Sequence, residues 1–290
     1  MVSAVARDYS RWGVPHVYAR ESFFAATSLP DGLIVIDYGE IELPMLVRRR
    51  GAPVTFYGFH AAMNPTIRRP LPFFQGRNIA PAATNSVLLC DPSLYLHEAV
   101  KVGWFLGNRL CPLVTELPLV LDHLDRLMGA ERRLLWGNSA GGTAALRYSR
   151  EQDVAIAVNP QTILEHFTWG RVLPWIEHGW QASGADARSL AGRIGDLRLH
   201  APRGRTVYVQ NIDDEHHGRH FLPYAHQHGF RTEPGDDGRQ GLILGTWGKG
   251  HTPPPPEMQR RLVAGEADRM LEEMGVRPGL WNRLRRVAAR

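Results

Sequence analysis

Cysteine, lysine and long apolar runs are the scarce features of this 290-residue chain. Its two cysteines, Cys90 and Cys111, are too few for a disulfide scaffold and lack the paired spacing of a zinc site. Cys90 ends an apolar run and reads as a buried free thiol. The only lysines are Lys101 and Lys249, so arginine carries nearly all of the positive side of a formal charge of +5. That charge is scattered, with small clusters at 48–50 and 283–286. A nucleic-acid binder concentrates it and interleaves aromatics. The pattern fits a solvated surface mildly favourable to anionic substrates. No segment reaches the ~18 uninterrupted apolar residues of a membrane span, and the opening residues lack the apolar stretch of a secretory signal. The expectation is a cytoplasmic protein with no membrane span and no nucleic-acid partner.

What is present has the composition of an ordinary globular protein, long enough for one large α/β unit. From about residue 50 onward, short β-rich runs occur at 54–59, 86–90, 133–137, 154–158, 206–210 and 241–246. Most are continuously apolar, as strands covered on both faces by helices are. Helical patterns lie between them at 114–128, 143–150 and 257–274, the last with Met258, Leu262, Ala267, Met270, Leu271 and Met274 near one face. Earlier, 16–20 and 33–38 read as paired antiparallel strands, with a Pro-Asp-Gly turn just before the second. This alternation predicts one α/β domain over 1–290, with a mostly parallel sheet of about eight strands. Residues 162–200 break the rhythm and are rich in Trp and His. They read either as a helical excursion packed on the sheet or as a cap over a site. The prolines at 253–256 form a stiff extended segment before the last helix.

The strongest motif is RRLLWGNSAGGTAALRYS. A strand runs into Gly137-Asn138-Ser139-Ala140-Gly141 and a small-residue helix follows, which is G-x-S-x-G in its required setting. The turn is so tight that side chains at the flanking positions would strike the neighbouring elements, hence the glycines. Ser139 is thereby lifted clear of the sheet, at a helix N-terminus whose free N–H groups favour a developing oxyanion. The N–H of Ala140 is the expected first donor. Neither G-x-G-x-x-G nor G-K-[ST] is present, so a nucleotide-binding turn explains the segment less well.

Here the chain resembles the α/β-hydrolase superfamily, whose order is nucleophile, acid, histidine. After the strand TVYVQ comes NIDDEHH, and after GLILGT comes WGKGHTPPPP. The resemblance implies His251 as the base, flanked by Gly250 and the rigid prolines, and an acid at Asp213 or Asp214. In many members of the family the acid lies three residues after a small residue that ends the strand, so with Asn211 in that place the resemblance implies Asp214 and leaves Asp213 as a turn residue. The second oxyanion donor would come from VTFYGFHAAM, as a main-chain N–H of Phe59 or His60, although the order of the family's His-Gly motif is altered there. More narrowly, GNSAGG and YVQNIDDEHH followed by HFLPY are similar to bacterial α/β-hydrolase-like proteins of surface-glycan biosynthesis and glycoprotein export, some of them sugar O-acetyltransferases.

Two clusters admit other readings. DDEHHGRH holds carboxylates and three histidines, with His216 and His220 four apart on one helix face. It lacks H-E-x-x-H, and acidic residues at a helix start explain the same letters through the macrodipole. No metal or other cofactor is expected, and His217 would lie near the acid as a substrate-binding or supporting group. Trp169, Trp175, His178 and Trp180 at helical spacing either pack or present ring faces to a sugar or aryl substrate. The function expected is a serine-dependent acyl-ester hydrolase acting on a small-molecule or carbohydrate ester. O-acyl transfer to a sugar hydroxyl is the alternative. A non-catalytic binding subunit and a metal-dependent hydrolase rank behind both.

Overall fold

The computed structural model describes residues 5–64 and 70–276. Ten strands form one sheet: β1 (His16–Ala19), β2 (Gly32–Asp37), β3 (Glu42–Arg48), β4 (Val54–Phe59), β5 (Asn85–Leu89), β6 (Arg132–Asn138), β7 (Val154–Val158), β8 (Arg205–Asn211), β9 (Gly235–Asp236) and β10 (Gln240–Gly245). Their spatial order is β1-β2-β3-β5-β4-β6-β7-β8-β10-β9. From β5 to β10 every pairing is parallel, while β3 runs antiparallel to β2 and β5. Eight of the ten coincide with the expected runs, and the two that were not anticipated are β3 and the two-residue edge strand β9. The expected antiparallel pairing of the first two runs is not found. β1 lies parallel to β2, with Val17 opposite Val35, because the helix α1 (Arg20–Ala25) turns the connection into a crossover.

The remaining helices are α2 (Leu113–Met128), α3 (Ala140–Tyr148), α4 (Trp169–Trp180), α5 (Gly184–Gly195), α6 (Leu222–His228) and α7 (Pro256–Glu273). β4, β7 and β8 are buried along their whole length, which is why their sequences read as continuous apolar runs. Alternate side chains serve opposite layers. Val54 and Phe56 pack with Val263, Ala267 and Met270 of α7, whereas Tyr57 and Phe59 join the core shared with α2 and α3. The parallel strands β4, β6, β7, β8 and β10 bring their C-terminal ends to one edge, where the connecting loops gather.

The excursion at 162–200 contains α4 and α5. Its ends are tied to each other, since Ile163 bridges Asp196 and the Leu197 N–H donates to the Thr162 carbonyl at 2.7 Å. Val172, Trp175, Ile176, Ala187 and Ala191 are fully buried in the same core as α2.

Candidate active site

Ser139 links β6 to α3 with φ 56° and ψ −119°, a conformation that L-residues adopt only under constraint. The constraint is visible on both sides. A Cβ on Gly137 would stand 2.2 Å from the Gly141 carbonyl carbon, and one on Gly141 would stand 2.2 Å from the Phe59 carbonyl oxygen. The Ser139 N–H donates to Val158 O at 2.7 Å, fastening the turn to the adjacent strand. Ala140 opens α3, so its N–H has no partner within the helix.

His251 lies in the loop after β10, between Gly250, with φ 73°, and the proline run. Its Nδ1 is 2.5 Å from Oδ2 of Asp214, a buried residue in the loop after β8. Asp213 is exposed, so of the two candidate acids it is Asp214 that meets the imidazole. Burial works to raise the Asp214 carboxyl, and the hydrogen bonds from His251 and from the His216 N–H outweigh it, holding the group below its usual range.

Ser139 Oγ and His251 Nε2 are joined through a residue that the sequence did not single out. Gln161, buried in the loop after β7, donates from Nε2 to Ser139 Oγ at 2.7 Å. The same nitrogen lies 3.4 Å from His251 Nε2 and 3.5 Å from His216 Nδ1. Its Oε1 accepts from the Trp104 indole N–H at 3.1 Å. His216, which the sequence offers only as part of a possible metal cluster, stands beside them. Its ring centroid is 4.3 Å from that of His251, and its Nδ1 is 3.6 Å from Asp214 Oδ2. Burial, together with the nearby His251, pushes His216 down to about 4, so it is neutral at pH 7. No spacing rule links residue 161 to 104, 139 or 251, so only the folded chain reveals this cluster.

The other candidates fall in different places. His217 packs its ring on Phe221, and its Nδ1 is buried without a hydrogen-bond partner among the described residues. Trp175 is fully buried, its indole donating to Gly107 O at 2.8 Å, so its face is turned to the core and not to a ligand. Trp169 is half-buried under the Arg188 guanidinium, 4.3 Å from its ring. Phe59 presents its carbonyl to Gly141. His60 uses both ring nitrogens, Nδ1 with Ala61 O at 2.7 Å and Nε2 accepting from Asp91 N at 2.9 Å. Burial lowers it to about 4, which makes its ring a neutral structural group.

Donor atoms of Asp214, His216 and His251 lie within 4.8 Å of one another, a grouping with metal-ligand chemistry. The fit is poor. Ligand atoms each ~2.1 Å from a zinc ion stand roughly 3 Å or more apart, whereas Asp214 and His251 are in direct hydrogen-bond contact at 2.5 Å. A cavity of about 510 Å³ lies elsewhere, around Arg147, Arg150 and Arg203 at the end of α3 opposite to Ser139. The convergence of polar groups, not the volume, marks the site.

The strand order, the antiparallel β3 and the elbow at the centre of the sheet define an α/β-hydrolase fold, and solved structures agree. The capsule O-acetyltransferase of Neisseria meningitidis serogroup A matches with a TM-score of 0.53 and 12% identity, over 84% of this chain and 96% of that one. Est1E from Butyrivibrio proteoclasticus matches with a TM-score of 0.51 and 11% identity, over 83% of this chain and all of the other. The Glycosylation Associate Protein (Gap123) complex from Streptococcus agalactiae gives 0.53 and 13%, over 80% of this chain and 44% of that one. No family model matches the chain, and no curated protein matches it in sequence.

Proposed function

We propose that this chain is a serine-dependent acyl-ester hydrolase or acyltransferase that works through an acyl-enzyme on Ser139. The observation that carries this reading is the 2.5 Å Asp214–His251 contact beside a serine held at φ 56° on a strand-to-helix turn. In the first step the Ser139 hydroxyl proton passes to His251 Nε2 as Oγ bonds to the acyl carbon. Asp214 holds the imidazole with Nδ1 protonated and stabilises the imidazolium. The Ala140 N–H receives the developing oxyanion, with a main-chain N–H near Phe59 or His60 as its partner. The leaving oxygen takes the proton from His251. In the second step a water or hydroxyl gives its proton to His251, its oxygen attacks the acyl carbon, and Oγ leaves reprotonated.

The fold-level neighbours include Est1E and a capsule O-acetyltransferase, and an acyl-enzyme on serine can pass its acyl group either to water or to another hydroxyl. The nucleophile is tested without knowledge of the substrate. A fluorophosphonate probe should add one phosphonyl group to the native protein, seen by intact-mass spectrometry, and none to Ser139→Ala. An adduct that persists in Ser139→Ala, or no adduct on the native protein, removes Ser139 from the role.

A further inference from the structure

The acyl-enzyme reading leaves open which oxygen takes the acyl group, and the environment of Gln161 bears on it. The attacking oxygen must sit within hydrogen-bond reach of His251 Nε2, which takes its proton, and about 3 Å from the acyl carbon carried on Ser139 Oγ. By microscopic reversibility the leaving oxygen of the first step uses the same place. That place is filled: Gln161 Nε2 is 2.7 Å from Ser139 Oγ and 3.4 Å from His251 Nε2.

The orientation of the amide is fixed. An indole N–H only donates, so the Gln161 oxygen must face Trp104 and the NH2 must face the serine. Trp104 is itself immobilised. It is 1% exposed, has a backbone φ of 53°, and packs edge-on against Trp175 and Phe167 with centroids 5.5 and 5.6 Å away. A left-handed tryptophan is a strained element that the surrounding core must hold in place. Gln161 is further pinned through its backbone, where its carbonyl accepts from Thr143 Oγ1 of α3 at 2.7 Å.

We propose that the Gln161 amide is the acceptor-selecting group of this enzyme: it occupies the seat of the attacking oxygen at rest, keeps water out of it, and yields it to an alcohol. The proposal rests on the acyl-enzyme reading above. A single water has little to offer in exchange for the hydrogen bond that the amide makes to Ser139 Oγ and its longer polar contacts with the two imidazoles. An alcohol arrives with a carbon body whose contacts offset that loss. The half-buried Phe167, edge-on to both Trp104 and His216, stands where such a body would rest. Displaced by a small rotation, the amide still donates an N–H to a lone pair of the bound hydroxyl, whose own proton points to His251. The alcohol proton then moves to His251 Nε2, the new C–O bond forms, and the C–Oγ bond breaks with Oγ regaining the proton. This favours an ester product on a hydroxyl-bearing acceptor over free acid.

The test is a partition experiment. p-Nitrophenyl acetate supplies the acyl group, glycerol serves as the alcohol, and acetate and glyceryl acetate are quantified. Gln161→Ala should keep fluorophosphonate labelling at Ser139 while its ratio of glyceryl acetate to acetate falls about tenfold, because the seat is then open to water. An unchanged or raised ratio overturns the proposal, as does a native enzyme that makes no glyceryl acetate while Gln161→Ala hydrolyses no faster. If Gln161→Ala does not fold, Trp104→Phe decides: it keeps a ring but removes the N–H that anchors the amide, and the ratio should fall in the same direction. Absence of both labelling and ester turnover in the native protein is a different result, since it defeats the acyl-enzyme reading itself.

Discussion

Ser139 stores backbone strain so that its hydroxyl can stand clear of the sheet, and the residues around it divide the remaining work by burial. Asp214 is buried and His251 half-open, with 38% of its side chain exposed, so the carboxylate is dry and fixed while the imidazole faces incoming groups. In Asp214→Asn the amide no longer holds Nδ1 protonated, so the ring loses the tautomer it needs. Its kcat should fall by roughly a thousandfold or more at pH 7 with little change in folding. Asp213→Asn, altering an exposed side chain, should stay within about twofold of the native rate. Steady-state kinetics on an activated ester separates the two, and equal losses would show that the Asp214 assignment is wrong. At this scale the strained turn that carries Ser139 was legible because it dictates glycines at fixed offsets. The resemblance pointed to Asp214 and His251 in the loops after two strands, and the fold brings the two side chains into contact. Gln161 and His216 were not legible, because what defines them is a meeting of four loops and not a spacing.

The loops after β7, β8 and β10 are held as one piece by two asparagines. Asn159, at φ 44°, donates from Nδ2 to Thr252 O at 3.0 Å and accepts from the Asn211 N–H at 2.8 Å. Asn211 in turn donates from Nδ2 to the carbonyls of Gly248 and Gly250, at 2.7 and 2.8 Å. The His251 loop, with glycines at φ 142° and 73°, has little order of its own, so these bonds set where the imidazole sits. Asn211→Ala should therefore cost about 1–2 kcal/mol in urea unfolding. Its effect on the acylation rate should be out of proportion to that loss, about tenfold or more, because a misplacement near 1 Å is enough. Full activity in a folded Asn211→Ala would mean that the loop orders itself. The elements bearing these loops were legible from buried apolar runs and the helical period. What escaped were β3, whose run Glu42–Arg48 is interrupted by Pro44, the two-residue β9, and the direction of β1, which depends on a six-residue helix.

For the whole molecule, the question is whether the excursion at 162–200 behaves as a movable cap or as part of the body. Its aromatic spacing was legible, but spacing alone cannot say which side a ring faces, and Trp175 settles that only through its neighbours. It is fully buried, donates to Gly107 O, and packs edge-on against Trp104, which holds Gln161. The Arg109 N–H also reaches the Gly179 carbonyl at 3.0 Å, so α4 is stitched to the segment that precedes α2. A chain of packed side chains thus runs from the excursion to the nucleophile, and loosening one end should be felt at the other. Trp175→Ala removes a large buried ring and strands a backbone carbonyl, at a cost of about 3–5 kcal/mol. Because the ring belongs to the common core, the loss should appear as an earlier single unfolding transition in urea, coincident by tryptophan fluorescence and far-ultraviolet circular dichroism. Trp175→Phe, which keeps most of the ring, should lose less. A variant that shows two separated transitions, the first without effect on fluorophosphonate labelling of Ser139, would instead establish the excursion as an independent unit.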